Sequence, residues 1–239
     1  MNLSVFISCC VDQFSPQTAR NLIRLLEGLG YNVNYPLEQT CCGKVLYENG
    51  NWEEAKLLGE KFINDFKDSD YIVGCSASCV GYIKNNFGKL FFNSTYHNLY
   101  KTLKNKIMDV SEFLCDVDKT MSFDAVFPYK VHLHSNCHSL KEYNLEKQTR
   151  QILKSVKDII LLEENSYKFC CGHGGNLSIY NPVVSQALAE QKLKTVLEEG
   201  AEFIVSNDLS CLQHLQAQID KNKYPLKTIH LVDLLMYNK

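Results

Sequence analysis

Eleven cysteines stand in this chain of 239 residues, and eight of them fall into a repeated order. Cys10, the pair Cys41-Cys42 followed by Gly43, and Cys79 make one set. Cys137, the pair Cys170-Cys171 followed by Gly172, and Cys211 make a second. The sets are offset by 127 residues at the first cysteine, 129 at the pair and 132 at the last. Small loop insertions between two copies of one unit produce such a drift, and with only two copies a solenoid array is excluded. Four thiolates brought together suit an iron–sulfur cluster or a tetrahedral zinc ion. The short Cys-x-x-Cys pairs of zinc ribbons and the compact run of bacterial ferredoxins are both missing. A disulfide within Cys41-Cys42 would close a strained ring and is not expected.

Elements that alternate between strand and helix must position these residues. An apolar, β-branched run from residue 3 predicts a buried strand ending at Cys10. Ser15-Pro16 then opens a helix that Gly28 and Gly30 end. A short strand over 31–35 leads into the loop 36–43 with the first Cys-Cys-Gly. A helix over 51–67, a strand over 70–74 and a further helix beginning near Cys79 complete the unit. Helices are also expected over 95–104 and from 110 to about 118. The second half repeats the plan: strand 129–134, helix 145–156, strand 159–162, the second Cys-Cys-Gly loop, a helix over 182–199 after Asn181, strand 202–205, and a helix from 208 to about 221. The tail 107–114 resembles 228–235. The expected architecture is α/β: two pseudo-symmetric repeats, 1–127 and 128–239, each a small parallel-sheet, Rossmann-like unit with helices on both faces. In such units the loops at the carboxyl ends of the strands form the ligand crevice, and every member of both cysteine sets falls there.

The remaining composition narrows the function. A net charge of −2 gives no electrostatic reason to expect nucleic acid as a partner. No apolar stretch approaches a membrane span, and the first residues carry no basic leader, so a cytoplasmic location is the expectation. In a reducing compartment, clustered cysteines point to metal or redox work. Gly172 to Gly175 lacks the spacing of a dinucleotide or phosphate loop, and no motif supports a Ser-His-Asp or cysteine-protease site.

Several stretches together resemble the cysteine-rich (Cys-Cys-Gly) domain family, which includes the cysteine-rich component of heterodisulfide reductase and the iron–sulfur component of glycolate oxidase. They are Cys10 to Pro16, residues 25–30, Pro36 with Gln39 to Gly43, Ser76 to Cys79, His134 to His138, Cys170 to Gly175, and Asp208 to Cys211. The resemblance implies an iron–sulfur electron-transfer subunit of a complex oxidising L-lactate, or another 2-hydroxy acid, to its keto acid. It implies two further lactate-utilization proteins as partners, one of them a ferredoxin-like iron–sulfur subunit. The implied cofactor is a 4Fe-4S-type cluster, one per repeat at most, with zinc as the alternative. Its ligands would be Cys10, Cys41, Cys42 and Cys79 in one repeat and Cys137, Cys170, Cys171 and Cys211 in the other. Five-cysteine versions of the motif end in Cys-x-x-Cys; here Ser76 and Asp208 take the first of those places. Four ligands per repeat is therefore the expectation.

Residues near the sets have readings of their own. His138 and His173 are expected to support the ligands from beside Cys137 and Cys171. His132 and His134 share one face of their strand. Cys9 and Cys75 flank the first set and could reach a cluster or pair on oxidation, but core packing at strand ends is the preferred reading; Cys115 reads as structural. Two other functions fit thiols of this kind: a metal-free thiol–disulfide enzyme and a subunit with structural zinc. No catalytic residue is assigned.

Overall fold

Leu3, Ser4, Val5 and Phe6 are all buried, as a strand covered on both faces requires. They form β1 (Leu3–Phe6), which opens a computed structural model describing residues 2–137, 143–163 and 170–237. The first half continues with α1 (Cys9–Phe14), α2 (Pro16–Gly28), β2 (Val33–Asn34), α3 (Lys44–Glu48), α4 (Trp52–Phe66), β3 (Tyr71–Gly74), α5 (Ala77–Leu90), α6 (His97–Lys104), β4 (Ile107–Asp109) and α7 (Val110–Glu112). A π-helical segment, Phe113–Asp118, follows α7. The second half holds β5 (Lys130–Leu133), α8 (Glu146–Ser155), β6 (Ile160–Leu161), α9 (Leu177–Tyr180), α10 (Pro182–Glu198), β7 (Phe203–Ser206), α11 (Leu209–Asn222), β8 (Lys227–His230) and α12 (Leu231–Leu235).

The two sheets have one topology. Their strand orders are β2-β1-β3-β4 and β6-β5-β7-β8, and every pairing is parallel. The expected α/β architecture of two matched repeats is what the chain adopts. Leu3, Val5 and Val73 of the first sheet and Val131, Leu133 and Val205 of the second lie in one central core. The opposite faces have cores of their own. Phe6 and Ile72 meet Phe62, Phe66 and Phe87 in the first repeat, and Ile204 meets Leu193 and Leu215 in the second. Among the described residues, no helix is long and apolar enough to cross a membrane.

Local chemistry explains the best-defined boundaries. Pro16 and Pro182 stand at the first turns of α2 and α10, where a missing N–H costs nothing. The Asn181 side chain accepts from Val184 N and caps α10.

The first strand departs from its expected extent. It stops at Phe6, and Cys9 and Cys10 open α1 instead, because Asp12 N turns back to Ser8 O at 2.9 Å. The expected helix over 110–118 is a short α-helical turn followed by the π-helical one. The matched tails are in each case a strand running into a helix, β4 with α7 and β8 with α12.

The ends of the strands interlock across the repeats. His230 Nδ1 accepts from Val232 N, so Nε2 carries the proton and donates to the Cys75 carbonyl at 3.0 Å. At the matched place in the other direction, Asn207 Nδ2 donates to Asp109 Oδ1 at 2.8 Å and to Ser111 Oγ at 2.6 Å. On the flank, Thr18 and Asn21 of α2 donate to the Asp233 carboxylate of α12 at 2.6 and 2.8 Å.

Candidate functional site

Each Cys-Cys-Gly loop is pressed against the helix that follows it. Gly43 and Gly172 have φ of +85° and +87°, a left-handed conformation that favours glycine. A Cβ on Gly43 would lie 3.2 Å from the Ala55 carbonyl of α4, and one on Gly172 would collide with the Ser185 carbonyl of α10. The turn then lets the glycine N–H point back at the first sulfur of the pair. Gly43 N lies 3.5 Å from Cys41 Sγ, and Gly172 N lies 3.4 Å from Cys170 Sγ. Cys79 and Cys211 are each the third residue of a helix, α5 and α11, at the end that carries the partial positive charge of the peptide dipoles.

These elements bring each set together. In the first repeat Cys9 Sγ lies 3.6 Å from Cys41 Sγ, and Cys42 bonds both Cys41 and Cys79. Cys10 Sγ reaches across to Gln213 Oε1 at 3.4 Å. In the second repeat Cys137 Sγ is 3.8 Å from Cys170 Sγ, and Cys171 Sγ is 3.1 Å from Cys211 Sγ. All eleven cysteines are free thiols. The sequence-derived members of both sets thus converge as expected, and Cys9 joins the first. Its expected role as core packing is overturned: it is exposed at the start of α1 and faces Cys41. Cys75 is fully buried in the central core. Cys115 lies in the π-helical segment, bonded to the Gln148 carbonyl at 3.5 Å.

The sulfurs are polarised in the same sense in both repeats. Thiol donors from Cys42 and Cys9, with Gly43 N–H, hold Cys41 down to about 2. Cys137, Cys171 and Gly172 N–H do the same for Cys170, also to about 2. The donating partners Cys42 and Cys171 are pushed up by those bonds and by burial. Cys79 is lowered chiefly by its bond from Cys42. Burial raises Cys10 to about 11. The hydrogen bonds thus favour the charged form at the first cysteine of each pair.

Four sulfurs round one tetrahedral ion, at about 2.3 Å from it, lie about 3.8 Å apart. Among the described residues, one group of three or more His, Cys, Asp or Glu donors closes to within 4.8 Å: His134, Cys171 and Cys211. The first set spreads wider, round a cleft of about 510 Å³ that also takes in Lys44, His173 and Gln213. That breadth and its thiol lining fit a polynuclear iron–sulfur group. Cys137, Cys171 and Cys211 of the second set line a smaller cavity of about 30 Å³. Lys44, Ser78, His173, Gly175 and Ser210 line both spaces, so the two sets are neighbours. Burial pulls the Lys44 ammonium down, but Glu48, 3.7 Å away, and Asp208 outweigh it and hold the charge in place.

Ser76 and Asp208, which stand at the matched fifth position of the two repeats, bond one another. Asp208 Oδ1 accepts from Ser76 Oγ and from Ser78 Oγ, each at 2.7 Å. Ser78 N donates to both carboxylate oxygens at 3.2 Å, so Asp208 of the second repeat caps α5 of the first. Asn136 Nδ2 donates to Oδ2. The fifth position is thus built into the contact between the repeats.

Among the histidines, His132 Nδ1 is 2.6 Å from Glu199, and burial lowers its imidazole to about 2. Burial lowers His134 to about 3. His173 lies edge-on to His214, with ring centroids 5.9 Å apart, at the mouth shared by both sets. His138 lies outside the described residues. Lys44, Gln213 and the seam carboxylate have no motif of their own; only the position of Asp208 opposite Ser76 in the repeat alignment marks it out.

Lactate utilization protein A 1 of Bacillus mycoides (strain KBAB4) is 31% identical over 237 residues, covering 98% of this chain and 96% of that one. Lactate utilization protein A of Oceanobacillus iheyensis is 32% identical over 235 residues, with the same coverage of both chains. Among solved structures, glutamate racemase RacE1 of Bacillus anthracis aligns with a TM-score of 0.43 at 12% identity, over 98% of this chain and 78% of that one. The family model for the cysteine-rich domain matches twice, at residues 3–84 and 131–216, spanning both cysteine sets. With two such matches and full-length relatives above 30% identity, the chain belongs to the cysteine-rich (CCG) domain family.

Proposed function

We propose that this protein is the iron–sulfur electron-transfer subunit of a system that oxidises L-lactate, or a closely related 2-hydroxy acid, to the keto acid. The observation that carries the reading is the pair of neighbouring thiol sets at the strand ends, joined by shared lining residues. The full-length relatives named for lactate utilization support the substrate class. Cys10, Cys41, Cys42 and Cys79 would hold one centre, with Cys9 beside them; Cys137, Cys170, Cys171 and Cys211 would hold the other. Bound there, an iron–sulfur group supplies one-electron transfer at a potential set by its surroundings.

The chain's own residues prepare both places. Gly43 and Gly172 N–H groups donate to Cys41 and Cys170 sulfur, and such bonds tune potential. The Lys44 ammonium, set between the two places, offsets part of the negative charge that thiolates and Asp208 accumulate. Partners of the expected kind, a ferredoxin-like iron–sulfur protein among them, would deliver or withdraw electrons through the exposed cleft mouth, where Cys9 is open to solvent. Zinc in the second repeat is a second reading, favoured by the close grouping of His134, Cys171 and Cys211.

Anaerobic purification with iron and sulfide analysis and EPR tests the proposal. Iron with matching sulfide, and a reducible EPR-active centre, are expected; Cys42→Ser and Cys171→Ser should each lower the iron content. Folded protein that contains no iron, with unchanged properties in both variants, would overturn it.

A further inference from the structure

The two repeats place different residues at one matched position. Three residues before the first cysteine of each set stand Ile7 and His134. Ile7 is an apolar part of the central core, 3% exposed. His134 is as deeply buried, at 2%, yet among the described residues neither of its ring nitrogens has a hydrogen-bond partner. A buried polar group left in that state is costly. His132, two residues earlier on the same strand face, shows the ordinary remedy, with Nδ1 2.6 Å from the Glu199 carboxylate. His134 faces sulfur instead. One of its nitrogens lies within 4.8 Å of both Cys171 Sγ and Cys211 Sγ, and those sulfurs are 3.1 Å apart. All three side chains are buried. In the first repeat the extra donor comes from elsewhere: Cys9 faces Cys41, while its counterpart Asn136 turns to Asp208.

We propose that His134 is a metal ligand of the second centre, a nitrogen donor beside Cys171 and Cys211. The repeats then carry chemically unequal sites, thiolate-only with Cys9 in the first and thiolate plus imidazole in the second. The assignment rests on the reading that the thiol sets hold metal. A neutral imidazole adds a donor without adding negative charge, which a further thiolate would do.

The test uses full-length protein isolated anaerobically with 15N-labelled histidine, its metal content measured, then reduced for pulsed EPR. A directly bound 15N coupling is expected in the wild type, in His132→Gln and in His173→Gln, and its loss is expected in His134→Gln. Protein whose only metal is iron and that lacks such a coupling overturns the assignment and leaves the electron-carrier reading standing; where zinc accompanies iron, the histidine 15N resonances decide as they do for zinc alone. Folded protein with no metal overturns both. Zinc alone overturns the electron-carrier reading, and the histidine 15N resonances then decide: one shifted by zinc and lost in His134→Gln supports the ligand, and none shifted rejects it. Should His134→Gln fail to fold, persistence of the wild-type coupling in variants at each of the other six histidines, His97, His132, His138, His173, His214 and His230, makes the same assignment, and its loss in any one of them contradicts it.

Discussion

Adjacent cysteines do unlike jobs when one donates to the other. Cys41 and Cys170 collect thiol and backbone donors, whereas Cys42 and Cys171 are buried and give their protons away. Removing the buried member therefore strips a ligand and a donor at once. Cys171→Ser is expected to lower metal content by about one centre per chain, read by metal analysis of the folded protein. Asp109 is fully buried; among the described residues its Oδ2 has no hydrogen-bond partner, and burial raises its carboxyl to about 7. A raised carboxyl binds its proton more tightly in the folded state than in the unfolded one. Its contribution to stability is thus full below the unfolded value of about 4 and is lost as pH climbs through about 7. Asp109→Asn keeps an acceptor for Asn207 and cannot titrate. The wild type should lose stability relative to this variant between pH 4 and 7, measured by urea unfolding; a constant difference would contradict the assignment. The sequence reveals the eight cysteines of the two sets through their duplicated order. It leaves Cys9 read as strand-end packing, because it adjoins Cys10 at the end of an apolar run, and it leaves His134 undistinguished from His132 because only three-dimensional neighbours separate carboxylate from sulfur.

Each Cys-Cys-Gly loop works as a rigid element because its glycine is clamped against the next helix. Gly172→Ala would force a left-handed residue and a collision with Ser185 at once. A loss of about 1–3 kcal/mol is expected from overpacking, with a parallel fall in metal content. A denaturation midpoint equal to the wild type would argue against the clamp. Strand–helix alternation and the Ser15-Pro16 and Asn181-Pro182 starts make most elements legible in advance. The short helices α3 and α9 are too brief to show a period, and β4 and β8 become strands only by pairing with β3 and β7. The early end of β1 depends on the Ser8 carbonyl capturing Asp12 N, a choice that apolar pattern does not encode.

The whole molecule is tied together by one core and one polar seam. Apolar residues of both sheets share the central cluster, and Asp208 gathers Ser76, Ser78 and Asn136. Asp208→Ala leaves these buried donors without their acceptor. It should cost at least about 1–3 kcal/mol and loosen both thiol sets, since Ser78 lies one residue before Cys79 and Asn136 one before Cys137. Chemical unfolding read by far-UV circular dichroism measures it, and stability within experimental error of the wild type would contradict a structural role for the seam. The replacement of the fifth cysteine by Ser76 and Asp208 is visible in the sequence, but its cause is not, since the two residues are 132 positions apart and meet only through the fold.

Iron and acid-labile sulfide per chain, measured on protein kept anaerobic from lysis onward, decide whether the thiol sets hold clusters. About four iron and four sulfide are expected for each occupied set, together with a reducible EPR signal. Folded protein with stoichiometric zinc and no sulfide, or with no metal at all, would contradict the cluster reading.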